Sequence, residues 1–88
     1  IEDDFERLLF GLASYNIGYG HVKDAIILAE EMGLDATKWQ NLKTTLPLLS
    51  KSKYYKKTKH GYARGWEPVQ YVKRILTYYD ILKQKDLD

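Results

Sequence analysis

At 88 residues the chain is one small domain at most, and folding at this size removes only roughly 60–65% of the unfolded surface from water, so a fold of this length is marginal alone. It contains no cysteine, which excludes disulfide frameworks, thiolate nucleophiles and thiolate zinc sites while leaving the compartment open. The formal net charge is only +2, but acids crowd the start at Glu2, Asp3, Asp4 and Glu6, and bases crowd Lys51, Lys53, Lys56, Lys57, Lys59 and Arg64, a pattern that fits a polyanionic partner or a solvated face.

Phe5, Leu8, Leu9 and Leu12 fall at i, i+3, i+4 and i+7. This predicts a first helix running to about Tyr15, its acidic first turn suited to the positive end of the helix dipole. Asn16, Gly18 and Gly20 interrupt the pattern. Val22, Ala25, Ile26 and Ala29 resume it as a second helix, with Gly33 placed as a C′ residue able to take positive φ. Asp35 is a candidate N-cap for a third helix carrying Trp39, Leu42 and Leu46. Pro47 must end or kink that helix, because proline lacks a backbone donor and crowds the preceding turn. A short apolar turn at Leu48 and Leu49 follows.

Between Lys51 and Trp66 lysines, paired tyrosines and two glycines show no clear periodicity, which reads as a turn of helix at Tyr54 and Tyr55 and then a loop. Function often sits in such loops. Glu67-Pro68 opens a final helix whose stripe is Val72, Ile75, Leu76 and Tyr79, through to about Lys83. No strand-like alternation competes and no internal repeat is present, so the fold class is all-α, about four helices plus a loop. No window reaches the ~18 apolar residues of a membrane span, and no charged leader with an apolar run and cleavage site is present. The first residue is Ile1 rather than methionine, as expected of a processed or excised piece.

The string Ala13-Ser14-Tyr15-Asn16-Ile17-Gly18-Tyr19-Gly20-His21 is unusual for a helix end. Tyr15 and Asn16 placed there offer a phenol and a carboxamide, groups that hydrogen-bond the hydroxyl and acetamido groups of a sugar. The plainer alternative is a helix C-cap, with Asn16 and Gly18 left-handed and the tyrosines in the core.

Ala13-Ser14-Tyr15-Asn16-Ile17-Gly18 resembles the alanine-x-tyrosine-asparagine-x-glycine motif of the lytic transglycosylases with the goose-lysozyme-like fold. The likeness continues in order through Trp39, Leu46-Pro47-Leu48-Leu49, Tyr54-Tyr55, Gly61-Tyr62-Ala63-Arg64-Gly65, Glu67-Pro68-Val69, Tyr71-Val72 and Tyr78-Tyr79-Asp80. It is nearest the membrane-bound members. The resemblance implies that residues 1–88 are the C-terminal part of such a domain, the lobe of a lysozyme-like fold that holds peptidoglycan glycan strands.

It also implies a mechanism. One glutamic acid protonates the glycosidic oxygen between N-acetylmuramic acid and N-acetylglucosamine and then acts as base, while the muramyl C6 hydroxyl attacks its own anomeric carbon to leave a 1,6-anhydro end. No second carboxylate is required, unlike the two-carboxylate hydrolases. In the family that glutamate precedes serine, and a glycine-leucine-methionine-glutamine motif follows it. Glu2, Glu6, Glu30, Glu31 and Glu67 are the only glutamates here and none precedes serine, so the catalytic acid is expected upstream and the chain alone is expected to be inactive.

By the same resemblance Tyr15 sits beside the absent acid, Asn16 contacts substrate, Gly18 allows close approach, and Tyr71 is a second cleft tyrosine. Tyr62 and Arg64 line the groove, a ring face for sugar and a guanidinium for lactyl or peptide carboxylates, or else belong to a loop packed on its own domain. Glu67 is a supporting residue, its plainer role a charge at a helix N-terminus. His21 and His60 lack a carboxylate pattern, so no metal or other cofactor is expected. The expected partners are peptidoglycan glycan strands and the missing N-terminal half of the domain, in the periplasm, with a membrane reached only through an upstream anchor. Nucleic acid binding through the lysines with Tyr54, Tyr55 and Tyr62, or a purely structural helical module, are the alternatives; neither accounts for the tyrosine-asparagine string.

Overall fold

The computed structural model describes residues 3–86, so Ile1 and Glu2 of the acidic start lie outside the described residues. Its elements are α1 (Asp4–Ile17), α2 (Tyr19–Glu31), α3 (Trp39–Thr45), a 3-10 helix (Leu46–Ser50), α4 (Ser52–Tyr55) and α5 (Trp66–Asp86). The chain is all-α, with no strand among the described residues.

Asp3 starts α1, its Oδ1 accepting the backbone N–H groups of Phe5 at 2.8 Å and Glu6 at 3.0 Å, two of the donors that a helix N-terminus leaves unpaired. The helix runs two residues past Tyr15 and stops at Gly18, whose φ of 100° and ψ of 142° are open essentially only to glycine. Gly18 is also the N-cap of α2, so one glycine makes the whole corner. Asn16 remains inside α1, and no residue other than glycine has positive φ among those described.

The helical period of α1 is as read, but the residues that carry it are not all core. Leu9, Phe10 and Ala13 are buried, whereas Phe5 and Leu8 are 55% and 53% exposed. Leu12 is half-buried between the two sets. Val22, Ala25, Leu28 and Ala29 of α2, Trp39 and Leu42 of α3, Leu46, Leu49, Ala63 and Val72 complete the core. Phe10 meets Trp39 edge-on with ring centroids 6.1 Å apart.

Gly33 ends α2 as expected, with φ of 77°. The Gly33 N–H donates to the Glu30 carbonyl at 3.0 Å and the Leu34 N–H to that of Ala29 at 2.9 Å, the paired bonds of a Schellman cap.

Asp35 does not cap α3. The N-cap is Lys38, and Asp35 instead closes a turn by accepting the Thr37 hydroxyl at 2.6 Å and the Thr37 N–H at 3.0 Å. The first donor of α3 is satisfied from elsewhere: the Trp39 N–H donates to Glu6 Oε2 of α1 at 2.7 Å. Pro47 acts as expected, the α-helical pattern stopping at Thr45 and tightening into the 3-10 helix.

The loop between α4 and α5 is tied down at three points. The Ala63 N–H donates to the Leu49 carbonyl at 3.1 Å. At Gly65 any Cβ would fall on the Leu46 carbonyl. The His60 N–H donates to Asp24 Oδ2 of α2 at 2.9 Å. α5 then begins at Trp66, one residue before the expected opening, with Pro68 fully buried in its first turn. Val72 is buried and Leu76 packs on the core, but Tyr79 is 58% exposed and residues 80–85 beyond it are exposed.

Candidate functional site

Tyr15 and Asn16 occupy the last turn of α1, and both face solvent, Tyr15 with 83% of its surface exposed. The core side of the same turn is taken by Ala13, fully buried, and by Ile17. The tyrosines of the string are therefore not core residues: Tyr19, just past the corner, is 65% exposed. Gly18 supplies the backbone angles that let α1 stop and α2 turn away, and nothing of this chain lies within 4 Å of where its Cβ would sit. A phenol and a carboxamide thus share one open corner with a glycine that leaves space beside them, side-chain donors and acceptors that suit sugar hydroxyl and acetamido groups.

The other expected residues sit elsewhere. Tyr62 is 52% exposed, with its ring edge-on to Tyr55 at 5.5 Å between centroids. Arg64 Nε pairs with Glu67 Oε1 at 3.2 Å, both side chains well exposed, and its guanidinium lies 5.6 Å from the Trp66 ring centroid. Glu67 stands in the first turn of α5 with its N–H donating to the Arg64 carbonyl at 3.0 Å. Tyr71 is half-buried on the core side of α5. Among the described residues no side-chain hydrogen bond or ring contact links Tyr62 or Arg64 to Tyr15 or Asn16.

His60 has the carboxylate partner that the sequence pattern did not reveal. Asp24, only 2% exposed, faces His60 Nδ1 at 3.2 Å as well as accepting its backbone N–H. The His21 and His60 rings meet edge-on at 6.1 Å. No group of three metal-capable residues is assembled among the described residues.

Among the described residues, three of the clefts on the surface have volumes of about 390, 420 and 220 Å³. The first lies between α2 and the α4 region, the second between α3 and α5, and the third beside Gly20 and His60. Tyr15, Asn16, Tyr62, Arg64 and Tyr71 line none of the three. The lysines of the first cleft stand in the basic stretch, but the α2 side chains that complete it are over twenty positions away, a juxtaposition that composition does not signal.

No family model matches the chain. It is similar to proteins named membrane-bound lytic murein transglycosylase F. One from Desulfosudis oleivorans is 65% identical over 85 residues, 97% of this chain and 19% of the relative. One from Shewanella woodyi is 62% identical over 79 residues, 90% of this chain and 16% of the relative. One from Hahella chejuensis is 54% identical over 77 residues, 88% of this chain and 15% of the relative. The chain therefore spans about a fifth or less of the length of the curated relatives it matches.

Proposed function

We propose that this chain is the glycan-holding part of a lytic transglycosylase that cleaves peptidoglycan strands to 1,6-anhydromuramyl ends. The observation that carries the reading is 65% identity, sustained over 85 residues, to a relative bearing that name. The open corner at Tyr15, Asn16 and Gly18 supports it, because the two polar side chains are exposed at a helix end and a Cβ at Gly18 would meet nothing within 4 Å. In this reading Asn16 binds the muramyl acetamido group, Tyr15 orients it and the acid, Gly18 leaves room for the sugar, and Tyr71 stands across the cleft. Tyr62 and Arg64 extend the groove, and Glu67 fixes Arg64 rather than handling protons.

The catalytic acid belongs to the remainder of the domain. Of the glutamates described here, Glu6 is committed to the Trp39 N–H and Glu67 to Arg64, while Glu30 and Glu31 lie exposed on α2. The outer face of α1 supports a docked remainder, since Phe5 and Leu8 leave apolar surface in water one turn apart. That acid protonates the glycosidic oxygen. The muramyl C6 oxygen then bonds to C1 as the leaving sugar departs, and the C6 hydroxyl proton returns to the glutamate. The reading places the protein in the cell envelope, in the periplasm, with any anchor outside this segment.

The test is digestion of purified peptidoglycan by the intact protein, with products resolved by mass. Anhydromuramyl products from the intact protein and none from the 88-residue chain alone are expected; reducing muramyl ends, which mark water as nucleophile, contradict the mechanism.

A further inference from the structure

We propose that the cleft between α2 and the α4 region is a second binding site, separate from the Tyr15–Asn16 corner, for a short carboxylate-rich peptide that also carries an amine. That this peptide is the one borne by the glycan rests on the reading above; the site's chemistry does not. The cleft holds about 390 Å³, within the range of small-ligand pockets.

Its α2 wall is apolar, with Ile27 and Met32 45% and 51% exposed beside buried Leu28, surface that a ligand removes from water. The opposite wall carries Lys53, Lys57 and Lys59. Two acids line the cleft, Asp24 and Glu31, and they are not equivalent. Asp24 is buried, with both oxygens turned to His60. Glu31 is exposed at the rim. Three lysines and one available carboxylate lining a cleft with an apolar wall fit a ligand with several carboxylates, one amine and some aliphatic surface. A single-stranded nucleic acid fits less well, because stacking needs free ring faces. Tyr54 is half-buried with Lys53 Nζ 5.7 Å from its ring centroid, and Tyr55 is engaged by Tyr62.

The test is calorimetric titration of the intact protein with sugar-free peptide released from peptidoglycan by an amidase, and separately with peptide-free glycan strands. Lys53→Glu combined with Lys57→Glu changes two exposed side chains, and its folding is verified by an unchanged melting curve. At least tenfold weaker peptide binding with glycan binding unchanged is expected, and Lys53→Arg with Lys57→Arg retains the affinity. Asn16→Ala gives the reverse pattern. Unaltered peptide affinity in the Glu variant, no peptide binding by the unsubstituted protein, or tighter binding of a single-stranded oligonucleotide lost in the same variant overturns the site. Peptide binding at the lysines without any glycan binding upholds the site and instead contradicts the glycan-holding role.

Discussion

Glu6 Oε2 of α1 accepts the Trp39 backbone N–H at 2.7 Å across 33 positions of sequence, so the first helix caps the third. A carboxylate at a helix N-terminus answers both an unpaired donor and the positive end of the dipole. Glu6→Ala is expected to destabilise the fold by about 1–2 kcal/mol, in the range of a lost cap, and Glu6→Gln by less because it keeps an acceptor oxygen. Chemical denaturation of the two variants checks this; equal stability of Glu6→Ala and the unsubstituted chain would mean that Trp39 is capped in another way.

Two glycines separate conformation from contact. A Cβ at Gly65 would fall on the Leu46 carbonyl, whereas one at Gly11, inside α1, would meet nothing within 4 Å. Gly65→Ala should cost several kcal/mol or abolish folding, since backbone cannot yield as a side chain does. Gly11→Ala should stabilise by about 0.5–1 kcal/mol through helix propensity. Melting temperatures that move the same way in both variants would refute the close approach at Gly65.

The tether between Asp24 and His60 predicts a local effect. Asp24→Ala leaves the His60 N–H without its partner, at a cost of about 0.5–1.5 kcal/mol for a lost hydrogen bond at a partly exposed site. Hydrogen exchange should rise at residues 56–62 before the rest of the chain opens. Uniform acceleration everywhere would show that the loop is held chiefly by other contacts.

Asp35 gives a pH effect. The Thr37 hydroxyl, then the Thr37 N–H and the nearby Lys38 charge hold its carboxyl below the usual 3.8. Because the folded value is depressed, the turn's contribution is present above pH 3.8 and is lost as pH falls through the folded value. Thr37→Val removes the largest cause, so an NMR titration of the Asp35 carboxyl carbon should move up towards 3.8; an unmoved titration would assign the depression to something else.

The helix count, the Gly33 cap and the break at Pro47 were legible because each depends on residues within a turn of one another. Which face of α1 is buried was not legible. Phe5 and Leu8 obey helical spacing as well as Leu9 does, and periodicity alone does not say which of two adjoining stripes this part of the fold buries. Asp35 looked like an N-cap because Asx turns and caps share the same residue preference. The Glu6–Trp39, Asp24–His60 and Gly65–Leu46 relationships join residues far apart in sequence, and no local pattern carries them. For the candidate site, the motif resemblance marked the string around Tyr15 and Asn16. The lysine-lined cleft needed the fold, since its two walls are brought together only by the packing of α2 beside α4.

The most direct measurement is the affinity of the intact protein for peptide-free glycan strands, compared among the unsubstituted protein, Tyr15→Phe and Asn16→Ala. Both side chains are exposed at the end of α1, so neither change should move the melting temperature. A glycan-holding role for this corner predicts at least tenfold weaker binding for Asn16→Ala and a smaller loss for Tyr15→Phe. Equal affinities in all three proteins, with folding intact, would contradict it.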